Sequence, residues 1–163
     1  MKKTLICASL GLMVLSGCKK DDSDNNSSNA ISASLDGTAV TFNVNAKAMR
    51  TNVSGAYSVQ IIGYDGNSNQ IAIAISSDAP ITTGTYSENS SDSKGASVNY
   101  IPSGSAYPYI SYNSTSNPAT VTISSISATS IQATFQGDVY LASSGGITNT
   151  KKAFTNGQFN VKF

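Results

Sequence analysis

Ile131-Gln-Ala-Thr-Phe-Gln-Gly-Asp-Val-Tyr-Leu141 alternates residue by residue between two chemistries. Ile131, Ala133, Phe135, Gly137, Val139 and Leu141 fall on one side, and Gln132, Thr134, Gln136, Asp138 and Tyr140 on the other. Successive side chains of an extended chain point to opposite faces, so this period of two predicts a β-strand with one face buried and one in water. Asp138 is thereby expected on the wet face.

The same period recurs on both sides of this stretch. Phe159, Val161 and Phe163 oppose Asn160 and Lys162, and Gly157 marks where this last strand is expected to begin. Toward the N-terminus, Ile31 to Leu35 and Thr38 to Val44 flank Asp36-Gly37, a pair that accepts the positive φ angles of a two-residue hairpin turn. Tyr57 to Tyr64 and Gln70 to Ser76 flank Asp65-Gly-Asn-Ser-Asn69. In the second of these strands Ile71, Ile73 and Ile75 share one face and Ala72 and Ala74 the other, which suits the interior of a sheet. Thr82 to Tyr86, Ala96 to Ile101, Tyr107 to Tyr112 and Ala119 to Ile126 complete roughly nine short strands, separated by Gly, Pro, Asn and Ser clusters. No helical stripe interrupts them. The expected fold is all-β: an antiparallel immunoglobulin-like β-sandwich formed by residues 30–163 around one core. An alternating last strand that ends on Phe also resembles the assembly signal of outer-membrane barrels. Those barrels need an outward apolar band about 25 Å tall, and strands this poor in large apolar residues do not supply it.

Composition narrows the function. The chain has no His, and its two cysteines are Cys7 and Cys18. The commonest general base, the usual zinc ligands and a thiol nucleophile are therefore missing from residues 30–163. Past residue 29, Lys47, Arg50, Lys94, Lys151, Lys152 and Lys162 stand against Asp36, Asp65, Asp78, Glu88, Asp92 and Asp138. A nucleic-acid partner calls for a basic stripe, and only Lys151-Lys152 are adjacent, in what reads as a loop. No nucleic-acid partner is expected.

The N-terminus speaks to location. Lys2 and Lys3, the apolar run Leu5 to Leu15 and the small residues Ser16-Gly17 form the three parts of a secretory signal. A run this short does not span a bilayer as a helix, which takes roughly 20 apolar residues. Leu15-Ser16-Gly17-Cys18 resembles the lipobox of bacterial lipoproteins. That resemblance implies removal of residues 1–17 and acylation of Cys18, whose acyl chains give a membrane partner. Residues 18–29 are polar throughout after the Cys and read as a tether. The start Cys18-Lys-Lys-Asp-Asp22 resembles the surface-export signal of lipoproteins in the Bacteroidetes lineage. It implies an outer-membrane, lipid-anchored protein facing the exterior, the alternative being one that faces the periplasm. The stretches Thr83-Gly-Thr-Tyr86, Ile131 to Gly137 and Thr155 to Phe163 resemble β-rich lipoproteins of the same lineage. This likeness implies the sandwich and transfers no functional residue.

Chemistry is sparse in what remains. Ser91-Asp-Ser-Lys94 has the spacing of a Ser-x-x-Lys nucleophile pair without the motifs that accompany one. Asp65-Gly-Asn-Ser-Asn69 offers oxygens at alternate positions, as a calcium loop does, but lacks the sixth-position Gly and distal Glu. Nothing calls for a cofactor or a resident metal. The candidate binding surface is Tyr100, Tyr107, Tyr109 and Tyr112, grouped about the turn Ile101-Pro-Ser-Gly-Ser-Ala106. Tyr offers contact area and a hydroxyl at low entropy cost, and it also stabilises sheets as a cross-strand partner. The sequence thus points to a non-catalytic module with a glycan or protein ligand. The alternatives are an accessory subunit of an envelope complex and, further off, a carboxylate-dependent glycoside hydrolase. No oligomeric state follows.

Overall fold

Eleven strands account for most of the described residues. They are β1 (Ala30–Leu35), β2 (Thr38–Phe42), β3 (Val44–Val53), β4 (Ala56–Tyr64), β5 (Gln70–Ser77) and β6 (Gly84–Ser87). After them come β7 (Gly95–Ile101), β8 (Tyr109–Ile110), β9 (Thr120–Ile126), β10 (Ser130–Ser143) and β11 (Gly146–Lys162). The computed structural model describes residues 29–91, 93–112 and 114–163. The signal segment 1–17, Cys18 and the tether as far as Ser28 lie outside the described residues, as do Asp92 and Asn113.

Every strand pair is antiparallel, in the order β2-β1-β11-β10-β8-β7-β5-β4-β3. The sheet forks at β10: Tyr140 and Leu141 pair with β8, whereas Ile131 to Gln136 pair with β9, which carries β6 beyond it. Its outermost strands, β2 and β3, are separated in sequence by Asn43 alone, so the sheet curls back upon itself and two layers face each other. The fold is all-β and sandwich-like, close to a barrel in outline. Its inward positions are apolar, among them Ile61, Ile71, Ile73, Val98, Val121 and Val161. Outward ones such as Gln60, Thr122, Gln132 and Thr134 are exposed and polar. A membrane barrel has the reverse arrangement.

The core is organised by rings. Phe135 of β10 lies 6.0 Å from Phe154 and 6.2 Å from Phe159, both of β11. Phe154 in turn meets Tyr100 edge-on at 6.0 Å, which reaches Phe42 at 6.4 Å. Phe154 and Phe159 are an odd number of residues apart, so a regular strand would send them to opposite faces. A bulge corrects this: between the pairs Phe135–Gly157 and Gly137–Phe154, β10 contributes Gln136 while β11 contributes Thr155 and Asn156. Asn156 takes a φ of 51° to make the step. Beside it, a Cβ on Gly157 would stand 2.5 Å from the Phe135 carbonyl oxygen and 2.7 Å from its ring, so only glycine lets that ring lie against β11.

Three expectations change. Residues 45–56 carry no strong alternation, yet most of them form β3, which pairs with β4 around the tight turn Ser54-Gly55. Lys151 and Lys152 are not in a loop but in β11, opposite Tyr140 and Val139, and Gly157 lies inside that strand rather than at its start. Asp138 is not on a wet face: it is 2% exposed. Residues 114–119 cross over it, its backbone N–H donates to the Asn117 carbonyl at 2.9 Å, and its carboxylate accepts from Asn117 Nδ2 at 2.9 Å and Lys151 Nζ at 2.7 Å. The Asp36-Gly37 hairpin forms as expected, with φ of 51° and 84°.

Gly157→Ala is expected to lower unfolding stability by about 1–3 kcal/mol through overpacking. Gly66→Ala, where an added Cβ meets nothing within 4 Å, should stay within about 0.5 kcal/mol. Urea denaturation of the two variants checks both.

Candidate functional site

Strand directions define two ends. One carries the β1–β2, β4–β5, β7–β8 and β10–β11 turns; the other carries the β3–β4 and β9–β10 turns together with Asn29, where the described chain begins. Tyr100, Tyr107 and Tyr109 belong to the first end, whereas Tyr112 follows β8, where the Ser111 backbone already donates to Val98 further down β7.

The structure separates the four. Tyr100 of β7 is 8% exposed and belongs to the ring core, so it offers no surface to a ligand. Burial, with the nearby Asp65 charge adding to it, pushes its phenol above the ordinary tyrosine value. Tyr109 of β8 is half-buried against Tyr100, with ring centroids 6.2 Å apart. Tyr107 and Tyr112 are free of the core, at 41% and 53% exposure. The candidate surface read from the sequence therefore reduces to Tyr107 and Tyr112, since Tyr109 faces Tyr100. Ordinary alternation accounts for Tyr100, because it follows Ala96 and Val98 onto the inward face.

Polar contacts hold the turns around these rings. The Asp65 carboxylate accepts from the Asn67 and Asn69 backbones at 2.8 and 2.9 Å and from Asn69 Nδ2 at 2.7 Å. Asn69 Oδ1 then accepts from the Ser103 backbone at 2.8 Å, tying the β4–β5 turn to the tyrosine-bearing loop. Within that loop Ser105 Oγ donates to the Tyr107 carbonyl at 2.8 Å. Lys152 Nζ sits 5.6 Å from the Tyr109 ring centroid and 3.0 Å from Asp36 Oδ2, while Asp36 Oδ1 accepts from the Ala153 backbone at 2.8 Å. These links are not visible as a motif, since they join residues from four separate turns and strands. The two positive φ angles expected of Asp36-Gly37 were the only sign that Asp36 would sit beside β11.

The oxygens of Asp65 are engaged by the donors of its own turn. Among the described residues no group of three or more His, Cys, Asp or Glu converges as a metal site. Ser91 and Lys94 are exposed on the β6–β7 connection, and Asp92 between them lies outside the described residues. Comparison with protein-family models, with curated proteins and with solved structures returns no match.

Both turn carboxylates titrate below the ordinary aspartate value. At Asp36 slight burial works the other way and is outweighed by hydrogen bonds from Ala153 and Lys152 and by the Lys152 charge. At Asp65 slight burial is likewise outweighed, by the side-chain and backbone donors of Asn69 and by Asn67. A carboxyl whose folded value is depressed contributes stability that is present above its unfolded value, near 3.9, and is lost as pH falls through the folded value. Thermal melts from pH 5 down to pH 2 should therefore show Asp36→Asn and Asp65→Asn each losing less stability over that interval than the wild-type chain.

Proposed function

We propose that this chain is a lipid-anchored, surface-facing β-sandwich of the outer membrane that binds a glycan or protein ligand without catalysis. The observation that supports it best is positional. Asn29 leads back toward Cys18 at one end of the sandwich, whereas exposed Tyr107 stands on a braced turn at the other, and exposed Tyr112 follows β8. A tether at one end and an exposed aromatic side chain at the opposite end is the geometry of a module joined to a membrane by one end and open to a partner at the other. Exposed phenols suit stacking on a sugar ring or packing against a protein face, with hydroxyls for orientation.

Among the described residues the buried core runs from Ile31 to Val161, and the chain from Lys19 contains all of it. Its melting temperature is the readout, because a ligand for the native state stabilises by RT ln(1 + [L]/Kd), about 2.7 kcal/mol at one hundred times Kd. Against a panel of glycans and matrix proteins, one class should give a saturable upward shift. Tyr107→Ala combined with Tyr112→Ala should abolish that shift while leaving the ligand-free melting temperature unchanged. Tyr100→Ala should instead cost about 3–5 kcal/mol of stability, as loss of a buried ring does. No shift with any class at near-millimolar ligand overturns the binding reading in favour of an accessory subunit.

A further inference from the structure

The end that carries Asn29 also opens a cleft of about 750 Å³ between the two layers. Arg50, Tyr57, Val59, Ile81, Ile126 and Ala128 line it, from the β3–β4 hairpin on one side and the β5–β6 connection and β9–β10 turn on the other. Val59 at its floor is 2% exposed and part of the core, so the cleft is a gap in the sandwich that reaches apolar side chains. The volume lies within the range of small-molecule sites. None of the four candidate tyrosines lines it.

Three observations indicate what this end meets. Apolar residues stand exposed in and beside its loops: Val53 is 62% exposed, and Ala56, Ala79, Pro80 and Ala128 are exposed as well. Its cations outnumber its acids among the described residues, with Arg50, Lys94 and Lys162 exposed and Asp78 the facing acid. The Arg50 guanidinium lies over the Phe163 ring, 3.7 Å from its centroid, and donates to the Ser127 carbonyl. No carboxylate among the described residues lies within ion-pair distance of it. Finally, Asn29 Oδ1 accepts from the Lys162 backbone at 3.0 Å, and Phe163 donates to the Thr129 carbonyl at 3.0 Å. The segment from Cys18 therefore joins the domain beside this cleft, and its residues reach at most about 40 Å when fully extended.

We infer that this end seats on the bilayer, where the cleft admits an acyl chain of an acidic phospholipid and Arg50 meets the headgroup. The inference rests on the reading of Cys18 as the lipid anchor. Exposed apolar side chains among basic residues are what a protein surface needs at the headgroup boundary: apolar area enters the interface while cations meet anionic lipid. The engaged Phe163 ring and Ser127 carbonyl hold the guanidinium at the cleft wall while leaving most of its donors unused.

The test uses the unlipidated chain from Lys19 in flotation with phosphatidylcholine vesicles, with and without phosphatidylglycerol. Binding is expected on the acidic vesicles and should weaken about fivefold in Arg50→Gln, the effect of one cation at a charged surface. Val53→Asp, beside an exposed hairpin tip, should weaken it at least as much while keeping the wild-type melting temperature, whereas Arg50→Gln, which also loses its contacts to Phe163 and Ser127, should melt lower yet remain folded at the assay temperature. Tyr107→Ala should bind as the wild type does. Absence of flotation with acidic vesicles, or flotation that neither Arg50→Gln nor Val53→Asp alters, overturns the inference and leaves the cleft to a protein partner. Mass spectrometry of the full chain recovered from a bacterial envelope reads the anchor separately. An unacylated Cys18 would sink the anchor while the vesicle result stood on its own.

Discussion

The bulge at Thr155 and Asn156 is the constraint on which this fold turns. Without the extra residue opposite Gln136, Phe154 would leave the core on which Phe135, Phe159 and Tyr100 converge. Bulges raise local twist as well as resetting side-chain direction, and this one sits in the longest strand pair. The strands that cross it, β10 and β11, connect both layers: β10 forks to β8 and β9, and β11 carries β1 and then β2. A bent central pair allows the sheet to curl until β2 and β3, joined by one residue, close it. Gly157 completes the device by giving the Phe135 ring a place to lie.

Outside this core of rings and buried isoleucines and valines, the turns are held by polar contacts of modest individual strength. The Lys152–Asp36 pair is partly solvated, at 30% and 45% side-chain exposure, and such pairs contribute about 0–1 kcal/mol. Asp138 differs, being buried beneath residues 114–119 with Asn117 and Lys151 as partners. It anchors a long connection across an outer face of the sheet, where Ser114 is also buried and its Oγ accepts from the Asn117 backbone at 3.2 Å. Position rather than strength gives these contacts their effect, since each ties a turn to a strand distant in sequence.

Much of the fold was legible because alternation over Ile131 to Leu141, Ile71 to Ile75 and Phe159 to Phe163 is a direct image of burial. What escaped was whatever alternation does not encode. β3 is buried only through Ala46 and Ala48 among polar and exposed residues, which gives a weak pattern. The first half of β11 alternates out of phase with the second because of its bulge, so Lys151 and Lys152 looked like loop residues. Asp138 was misplaced because a strand pattern says nothing about a connection that later covers it. Of the candidate surface, the clustering of tyrosines marked a loop on which Tyr107 is exposed, but the same period of two that built the strand carried Tyr100 inward. The cleft assembles Arg50, Ile81 and Ile126 from three distant segments, and no local pattern announces such a site.

The two ends of the sandwich thus differ in chemistry, and the proposed roles follow that difference: exposed apolar side chains and cations beside the tether, exposed Tyr107 on a braced turn away from it. Ala106 and Ala128 are exposed alanines, one at each end, and Cys7 and Cys18 are the chain's native thiols. The most direct measurement is the rate at which a membrane-impermeant maleimide labels Ala106→Cys and Ala128→Cys in the full lipidated chain, reconstituted on vesicles that contain phosphatidylglycerol. The proposed orientation predicts rapid labelling at position 106 and protection at position 128 that disappears when the vesicles are dissolved in detergent. Equal labelling of both positions on intact vesicles, or protection at 106 instead, would contradict it.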